Sequence, residues 1–128
     1  MLIGRVWHGL TREKQGDEYL QQLEQFRVAA YKRTPGNRGV LVFQRKSSGV
    51  AEFFVISIWE SYEAIQRFTE SEPLDAAIYY PEEHRYLLFP EPKVSHYELF
   101  LSGEILPKTL IQMRERTRED QDTAEPAD

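Results

Sequence analysis

Cysteine is absent from this chain of 128 residues, which excludes disulfides, thiol catalysis and thiolate metal sites. An excess of positive charge is also missing, because 16 Lys and Arg stand against 21 Asp and Glu, for a net charge of -5. This balance argues against sequence-independent binding to nucleic acid or to an anionic membrane. The longest apolar-rich run, residues 53–59, is too short to span a bilayer. The first eight residues show no basic stretch followed by an apolar core, so we expect a cytoplasmic protein with no membrane or nucleic-acid partner.

Several motifs of catalysis are missing as well. The sequence has no glycine-rich phosphate loop, no serine nucleophile elbow and no paired catalytic carboxylates, so hydrolysis and nucleotide-dependent chemistry have no support. Its three histidines, His8, His84 and His96, show no spacing typical of metal ligands. We therefore expect no metal site.

The composition is that of a globular protein, since hydrophobic residues make up 41% of the chain and charged residues 29%. The length suits one domain, which we place at residues 1–101. Residues 102–128 differ in composition, with four basic residues against seven acidic ones. Leu106, Leu110 and Met113 have helical spacing, and the last ten residues are almost devoid of apolar side chains. We expect this segment to be a C-terminal helix and an acidic tail that is partly disordered.

The pattern of apolar residues predicts the order of the elements. Alternation of polar and apolar residues predicts strands over 2–10, 39–46, 51–59 and 94–101. Helical spacing predicts one helix over 14–33, a second that begins at Ser61 and ends before Pro73, and a further helical piece over 74–79. The order strand, helix, strand, strand, helix, strand is that of a ferredoxin-like α+β sandwich. Its antiparallel sheet would have the strands in the spatial order four, one, three, two.

The two helices of such a fold pack on one side of the sheet. The third strand is apolar on both sides, because Phe53 and Val55 alternate with Phe54, Ile56 and Ile58. The side without helices would therefore expose a large apolar patch, and such patches usually mark an interface. We expect a homodimer that closes through this side of the sheet.

Four short stretches carry a family resemblance. They are Arg-Val-Trp-His-Gly at 5–9, Pro-Gly-Asn-Arg-Gly at 35–39, Ser-Ile-Trp-Glu-Ser at 57–61 and Val-Ser-His-Tyr-Glu at 94–98. Together with the element order, they resemble the antibiotic biosynthesis monooxygenase superfamily over residues 1 to about 100. The resemblance implies a dimeric α/β barrel with a small cavity between sheet and helices. Some members of that superfamily oxygenate polycyclic phenols without metal or flavin, and others bind and degrade haem.

The resemblance assigns one pocket residue directly. Trp59 matches the tryptophan that lines the pocket in both oxygenating branches. The haem-degrading branch also uses an asparagine on the first strand and a histidine on the helix after the tryptophan. Here the only asparagine is Asn37, in a turn, and residues 60–79 contain no histidine. The haem-degrading machinery of that branch is therefore incomplete in this chain.

Three residues are candidates for catalysis. Trp59 would present its ring to a flat substrate or donate from its indole NH, and the alternative is a tryptophan that fills the core. His8 and His96 lie on the first and last strands, which are neighbours in this topology, so the two side chains could approach across the sheet. Such a pair could accept and donate protons near pH 7. The alternative for each is a hydrogen-bonded structural histidine.

Four further residues are candidates for substrate binding. Arg5 and Arg45 lie within apolar strands and could hold a carboxylate or an enolate, or else pair at a strand end or across a dimer. Tyr79 and Tyr97 could close a pocket over an aromatic ligand, or serve as packing and interface residues.

These features lead to one hypothesis and two alternatives. The leading hypothesis is a cofactor-independent monooxygenase for a small aromatic or quinol-type molecule, with His96 or His8 as the base and Arg5 or Arg45 steadying the anion. The second is a non-catalytic dimeric protein that binds an apolar or aromatic ligand. The third is a haem-binding protein without the usual degradation residues, with His8 or His96 as the axial ligand.

Overall fold

Four antiparallel strands form one sheet, which a computed structural model describes together with the rest of residues 1–103. The strands are β1 (Leu2–Arg12), β2 (Asn37–Ser47), β3 (Val50–Trp59) and β4 (Ser95–Leu99), in the spatial order β2-β3-β1-β4. The predicted order four, one, three, two is thus confirmed, and with it the ferredoxin-like α+β fold. The predicted C-terminal helix and tail lie, from residue 104 onward, outside the described residues.

The β2-β3 hairpin turns where the sequence predicts it. Ser48 and Gly49 both have positive φ angles, 55° and 81°, as tight two-residue hairpin turns require. The register then pairs Phe43 with Phe54 and Val42 with Val55. Because side chains alternate along a strand, this register fixes which residues face the helices.

A long helical segment over residues 13–33 covers one side of the sheet. It consists of a 3-10 turn (Glu13–Gln15), α1 (Gly16–Gln22), a π-helical stretch (Leu23–Val28) and α2 (Ala29–Arg33). A π-helix has a wider turn than an α-helix and is uncommon. The structure therefore differs here from the regular helix that the apolar spacing predicts.

The π-helical stretch changes which side chains are buried. Tyr19, Leu23, Arg27 and Tyr31 are all buried, although residues four apart drift by about 40° per step in a regular α-helix. The wider turn keeps these four on one side. As a result Arg27 is buried, whereas Phe26, which the spacing places in the core, is only half-buried.

The second helix, α3 (Tyr62–Thr69), begins as predicted. The hydroxyl of Ser61 accepts a hydrogen bond from the backbone NH of Ala64 at 3.1 Å, which caps the first turn. Ala64, Ile65 and Thr69 are buried against the sheet. No helix among the described residues is long and apolar enough to cross a membrane.

The prediction of a helix over residues 74–79 is wrong. After a turn at Leu74 and Asp75, the chain is extended, and Ala76 forms a β-bridge with Lys93. Pro73 and the bridge favour an extended chain at this point, whereas short apolar runs fit either a helix or a strand. We call residues 74–83 the strap. This segment lies next to the helices and ends in a 3-10 turn at Pro81–Glu83.

Candidate functional site between the sheet and the helices

Trp59 is the centre of a buried aromatic cluster. It ends β3 on the helix-facing side and is fully buried. Its ring lies 6.1 Å from that of Tyr31, edge to face, and 6.0 Å from that of Phe68. The indole NH donates to the hydroxyl of Ser57 at 2.8 Å, so the Trp59 NH is already used within the protein. The face of this ring, rather than its NH, is the part that a ligand would contact.

Arg5 is a buried cation beside this cluster. Its guanidinium carbon lies 5.5 Å from the centre of the Phe68 ring, and the side chain is only 1% exposed. The two terminal nitrogens donate to the carbonyl oxygens of Leu74 and Ala76, each at 2.7 Å. The Nε–H, in contrast, has no partner among the described residues. A buried charged group with an unused donor is uncommon and requires an explanation.

His96 lies directly opposite Arg5 in the pairing of β1 with β4. Its Nε2 is 3.0 Å from Nη1 of Arg5. Since a guanidinium only donates, Nε2 of His96 must be the acceptor, and any ring proton is on Nδ1. Burial, and next the positive charge of Arg5, lower the pKa of His96. The ring is therefore held in its neutral form, which is the form a general base needs.

A crevice of about 470 Å³ opens to solvent next to this cluster. Its walls come from the end of the long helical segment, the end of α3 and the strap. Phe68 belongs both to this wall and to the aromatic cluster. Among the described residues, neither Trp59 nor Arg5 lines the crevice. We call the packed side chains of Arg5, Tyr31, Trp59, Phe68 and His96 the inner cluster.

His8 lies on the opposite side of the sheet from His96. Arg5 is paired with His96, and His8 is three positions further along β1, so its side chain projects from the other face. The prediction that the two histidines approach across the sheet is therefore wrong. The reason is the alternation of the strand, which places odd and even positions of β1 on different sides.

The surroundings of His8 give it a different protonation state. Nδ1 lies 2.5 Å from the carboxylate of Glu91, and Nε2 lies 2.8 Å from that of Glu52. Burial alone would lower the pKa of His8, but the hydrogen bonds to Glu91 and Glu52 outweigh it and raise the pKa. The ring also packs on Phe54 at 4.6 Å. His8 is thus the cation of a charged cluster with Glu52 and Glu91. This cluster lies on the side of the sheet without helices, which we call the open side.

The remaining predicted binding residues lie away from the inner cluster. Arg45 is on the open side, where it pairs with Glu52 at 2.6 Å and is 77% exposed. Tyr97 is on β4 opposite Gly4 and is also exposed on the open side. Tyr79 lies on the strap, 6.2 Å from the ring of Trp7, and its hydroxyl donates to the carbonyl oxygen of Glu91.

The structure therefore assembles only part of the predicted set. Trp59, Arg5 and His96 come together, while His8, Arg45 and Tyr97 share the open side. Two members of the inner cluster, Tyr31 and Phe68, are absent from the predicted site. Their positions among the buried residues of two helices are the only sequence signal for them.

A buried ion pair is the other feature that sequence reasoning missed. Arg27 and Glu83 are both 1% exposed and are joined by two hydrogen bonds, at 2.7 and 3.1 Å. The hydroxyl of Tyr19 donates to the same carboxylate at 2.7 Å, and the guanidinium carbon of Arg27 lies 4.2 Å from the ring centre of Trp7. Burial and the Glu83 carboxylate raise the pKa of Tyr19 well above its usual range, so this hydroxyl remains a donor.

Two buried arginines thus hold the strap from below. Arg5 binds the carbonyl oxygens of Leu74 and Ala76, and Arg27 binds that of Ile78 at 2.6 Å. These three carbonyl groups are two residues apart, as expected for one edge of an extended segment. The guanidinium groups take the place of a neighbouring strand. A ligand that takes the terminal nitrogens of Arg5 must therefore compete with the strap, whereas its Nε–H is not used by the strap.

Metal ligands are not grouped in this part of the chain. Across residues 1–103, no three histidine, aspartate or glutamate side chains are placed to hold a metal ion. The charged cluster around His8 has its two carboxylates on opposite sides of the imidazole ring, whereas a shared ion needs its ligands on one side.

Comparison with known proteins agrees with this arrangement of elements. The sequence model described as antibiotic biosynthesis monooxygenase matches residues 10–79, more than half of the chain. The chain belongs to the antibiotic biosynthesis monooxygenase family. The predicted family resemblance is thus confirmed.

Two solved structures of proteins from Mycobacterium tuberculosis are similar to this chain. The haem-degrading protein Rv3592 is 20% identical, with a TM-score of 0.54, over 81% of this chain and 100% of that one. Rv0793 is 14% identical, with a TM-score of 0.53 and the same coverage. At these identities the likeness shows the fold alone. No curated protein matches the chain.

Proposed function

We propose that this member of the family is a cofactor-independent monooxygenase for a small, electron-rich aromatic or quinol-type molecule that binds in the inner cluster. One observation carries the proposal. A buried arginine with an unused Nε–H lies beside a neutral histidine and against the ring of Phe68, which in turn packs on Trp59. A phenol offers a flat ring for the aromatic side chains and an acidic oxygen for the charged ones.

The first chemical step uses His96 and Arg5. The substrate hydroxyl takes the position between the two side chains, where it replaces their mutual hydrogen bond. Nε2 of His96 accepts the phenolic proton, and the Arg5 guanidinium stabilises the phenolate that remains. Because the inner cluster is closed to water, this charge stabilisation is stronger than it would be at the surface.

The oxidation itself needs no further group from the protein. A phenolate rich in electrons transfers one electron to dioxygen, and the two radicals combine to form a C–O bond. When the reacting carbon is a ring methylene, loss of water leaves a carbonyl group. One oxygen atom then enters the substrate, the other leaves as water, and all four electrons come from the substrate. The face of Trp59 keeps the ring in place during these steps.

Haem fits the described residues less well. An axial ligand needs an imidazole nitrogen that is free, but both ring nitrogens of His8 bind carboxylates, and Nε2 of His96 accepts from Arg5 unless a ligand displaces that hydrogen bond, as the proposed phenol does. His84 lies exposed after the Pro81–Glu83 turn, away from the inner cluster. The residues as placed do not fit an axially ligated haem. A titration with haem that produces a shifted Soret band would favour that function over oxygenation.

Oxygen uptake tests the proposal. A panel of phenols, naphthols and anthrones is offered to the wild type and to the variants Trp59→Phe and His96→Gln. We expect the wild type to consume oxygen with at least one compound, the rate to fall in Trp59→Phe, and His96→Gln to lose at least about a hundredfold, the lower range of a general base. The control is His84→Gln, which alters an exposed histidine outside the inner cluster.

Two results would count against it. If both variants keep the full rate on every compound that the wild type oxidises, the inner cluster is not the active site. If the aromatic compounds bind tightly but no oxygen is consumed, the chain is a binding protein for aromatic ligands, which is the non-catalytic alternative.

A further inference from the structure

Phe68 has a second contact, with the open crevice, that the proposed reaction does not use. It lies in the last turn of α3 and is half-buried. One part of its ring lines the 470 Å³ crevice. The ring also lies 4.7 Å from that of Tyr31 and 6.0 Å from that of Trp59. It is therefore the wall between an open crevice and the buried residues of the inner cluster.

We propose that Phe68 is the specificity-determining residue of this site, which closes the inner cluster to solvent and limits the number of fused rings that a ligand can have. This inference rests on the proposed function, because it uses the same site and the same aromatic class of ligand. In the described position the ring covers Arg5 and Trp59. When the ring turns away from these side chains, the crevice extends to the inner cluster, and a ligand reaches the Arg5 Nε–H.

The surroundings of Phe68 favour a moving side chain over a moving backbone. The carboxamide nitrogen of Gln66 donates to the hydroxyl of Thr69 and to the carbonyl oxygens of Glu70 and Glu72, at 2.7 to 3.0 Å. These contacts fix the chain just after Phe68. Thr69, the next residue, is buried. The aromatic ring, with its crevice side open, is the part that is free to rotate.

The opposite wall of the crevice does not yield as easily. Ile78 and Tyr80 line it from the strap, and the strap is bound to Arg27 through the carbonyl oxygen of Ile78 and through Glu83. A buried ion pair of this kind is costly to open. A ligand with more fused rings than the displaced Phe68 side chain leaves room for would thus collide with the rigid strap. Ligand size is set on the Phe68 side.

The first arm of the test needs no ligand. In a Trp7→Phe background, Trp59 is the only tryptophan, and its fluorescence quenching by acrylamide reports on solvent access. We expect Phe68→Ala to raise the quenching constant at least about threefold, since the fully buried ring becomes accessible. Phe68→Leu should give an intermediate value, and the matched control on the exposed side of the same helix, Glu63→Ala, should not change it.

The second arm measures ligand size. Dissociation constants are determined by calorimetry for phenol, 1-naphthol and 9-anthrone, with wild type, Phe68→Ala, Phe68→Leu and Glu63→Ala. We expect the affinity ratio of the three-ring to the one-ring compound to rise at least about tenfold in Phe68→Ala, and less in Phe68→Leu. If Phe68→Ala does not fold, Phe68→Leu decides the outcome in both arms.

The arms separate this inference from the proposed function. An unchanged quenching constant in a folded Phe68 variant overturns the inference whatever the oxygen assay shows. An unchanged affinity ratio, with compounds that bind the wild type, overturns the size limit while the proposed function stands. If quenching rises and no compound binds any variant, the aromatic ligand class is wrong and both proposals fail. A changed ratio without oxygen uptake supports the role of Phe68 in a binding protein.

Discussion

The two strand histidines show how position within a strand decides chemistry. His8 and His96 are alike in the sequence, because each lies within a predicted strand. His96 is beside Arg5, which favours its neutral form, whereas His8 lies between two carboxylates, which favour its charged form. The presence of both on neighbouring strands is visible in the sequence. Their separation onto opposite sides depends on the register, which the sequence pattern does not supply.

These opposite pKa shifts predict a pH dependence of stability. The raised pKa of His8 stabilises the folded state below the usual value of about 6.5, and this stabilisation is lost as the pH rises through the folded-state pKa. The lowered pKa of His96 acts in the other direction, because the folded state loses stability as the pH falls below about 6.5. We therefore expect the free energy of unfolding to fall on both sides of that pH.

Urea unfolding between pH 5 and 8.5, a range chosen around the usual histidine pKa of about 6.5, checks this dependence. His8→Gln should flatten the alkaline side, by about 1 kcal/mol or less because its ion pairs are partly exposed. His96→Gln should flatten the acidic side. A His8→Gln profile with the same alkaline slope as the wild type would show that the Glu52 and Glu91 contacts do not stabilise the charged form.

At the level of the elements, the sequence pattern does not predict contacts between side chains that are distant in the chain. The strands and the capped helix after Trp59 follow from local patterns, since each rests on residues close in the chain, and the order of the sheet follows from the order of these elements. Arg27 and Glu83 look like solvated charges on a helix and in a loop. Their pairing over 56 positions requires the π-helical stretch to turn Arg27 inward. The sequence pattern predicts a helix over residues 74–79 of the strap for the same reason, because the partners of this segment, Arg5 and Arg27, are distant in sequence.

The buried ion pair predicts a large cost for single substitutions. Arg27→Met or Glu83→Gln leaves a charge or its partner groups unsatisfied in the interior, which costs about 3–5 kcal/mol. The double variant should cost less than the sum, because neither charge is then left alone. Urea unfolding measures these values. The control is Arg38→Met, which breaks an exposed pair with Glu60 and should cost less than about 1 kcal/mol.

Additive effects in the double variant would show that Arg27 and Glu83 do not act as a pair. A cost below about 1 kcal/mol for each single variant, equal to that of a surface ion pair, would show that the side chains are hydrated in solution.

For the whole molecule, the open side of the sheet is an apolar surface that a single chain leaves exposed to solvent. Phe43 and Phe54 are 53% and 38% exposed and form a cross-strand pair there. Leu41, Ile56 and Ile58 are half-buried on the same side. We propose, as the sequence predicts, that a second copy of the chain covers this surface. The charged cluster of His8 adjoins this surface, because the His8 ring packs on Phe54 at 4.6 Å.

Sedimentation velocity at micromolar concentration tests the dimer. We expect the wild type to sediment as a dimer and Phe54→Lys to sediment as a monomer, since an unpaired charge would be buried at the interface. The control Phe89→Lys alters a phenylalanine that is 88% exposed outside the strands and should remain dimeric. A monomeric wild type at this concentration would contradict the proposed partner.

In the proposed reaction, an aromatic molecule bound at the inner cluster gains an oxygen atom from dioxygen without a cofactor. Mass spectrometry of the products formed under oxygen-18 gas, with the same panel of phenols, naphthols and anthrones, tests it most directly. We expect the wild type to add one oxygen-18 atom to at least one compound and His96→Gln to form at least about a hundredfold less of that product. Products that contain no oxygen from the gas, or an equal yield from His96→Gln, would contradict it.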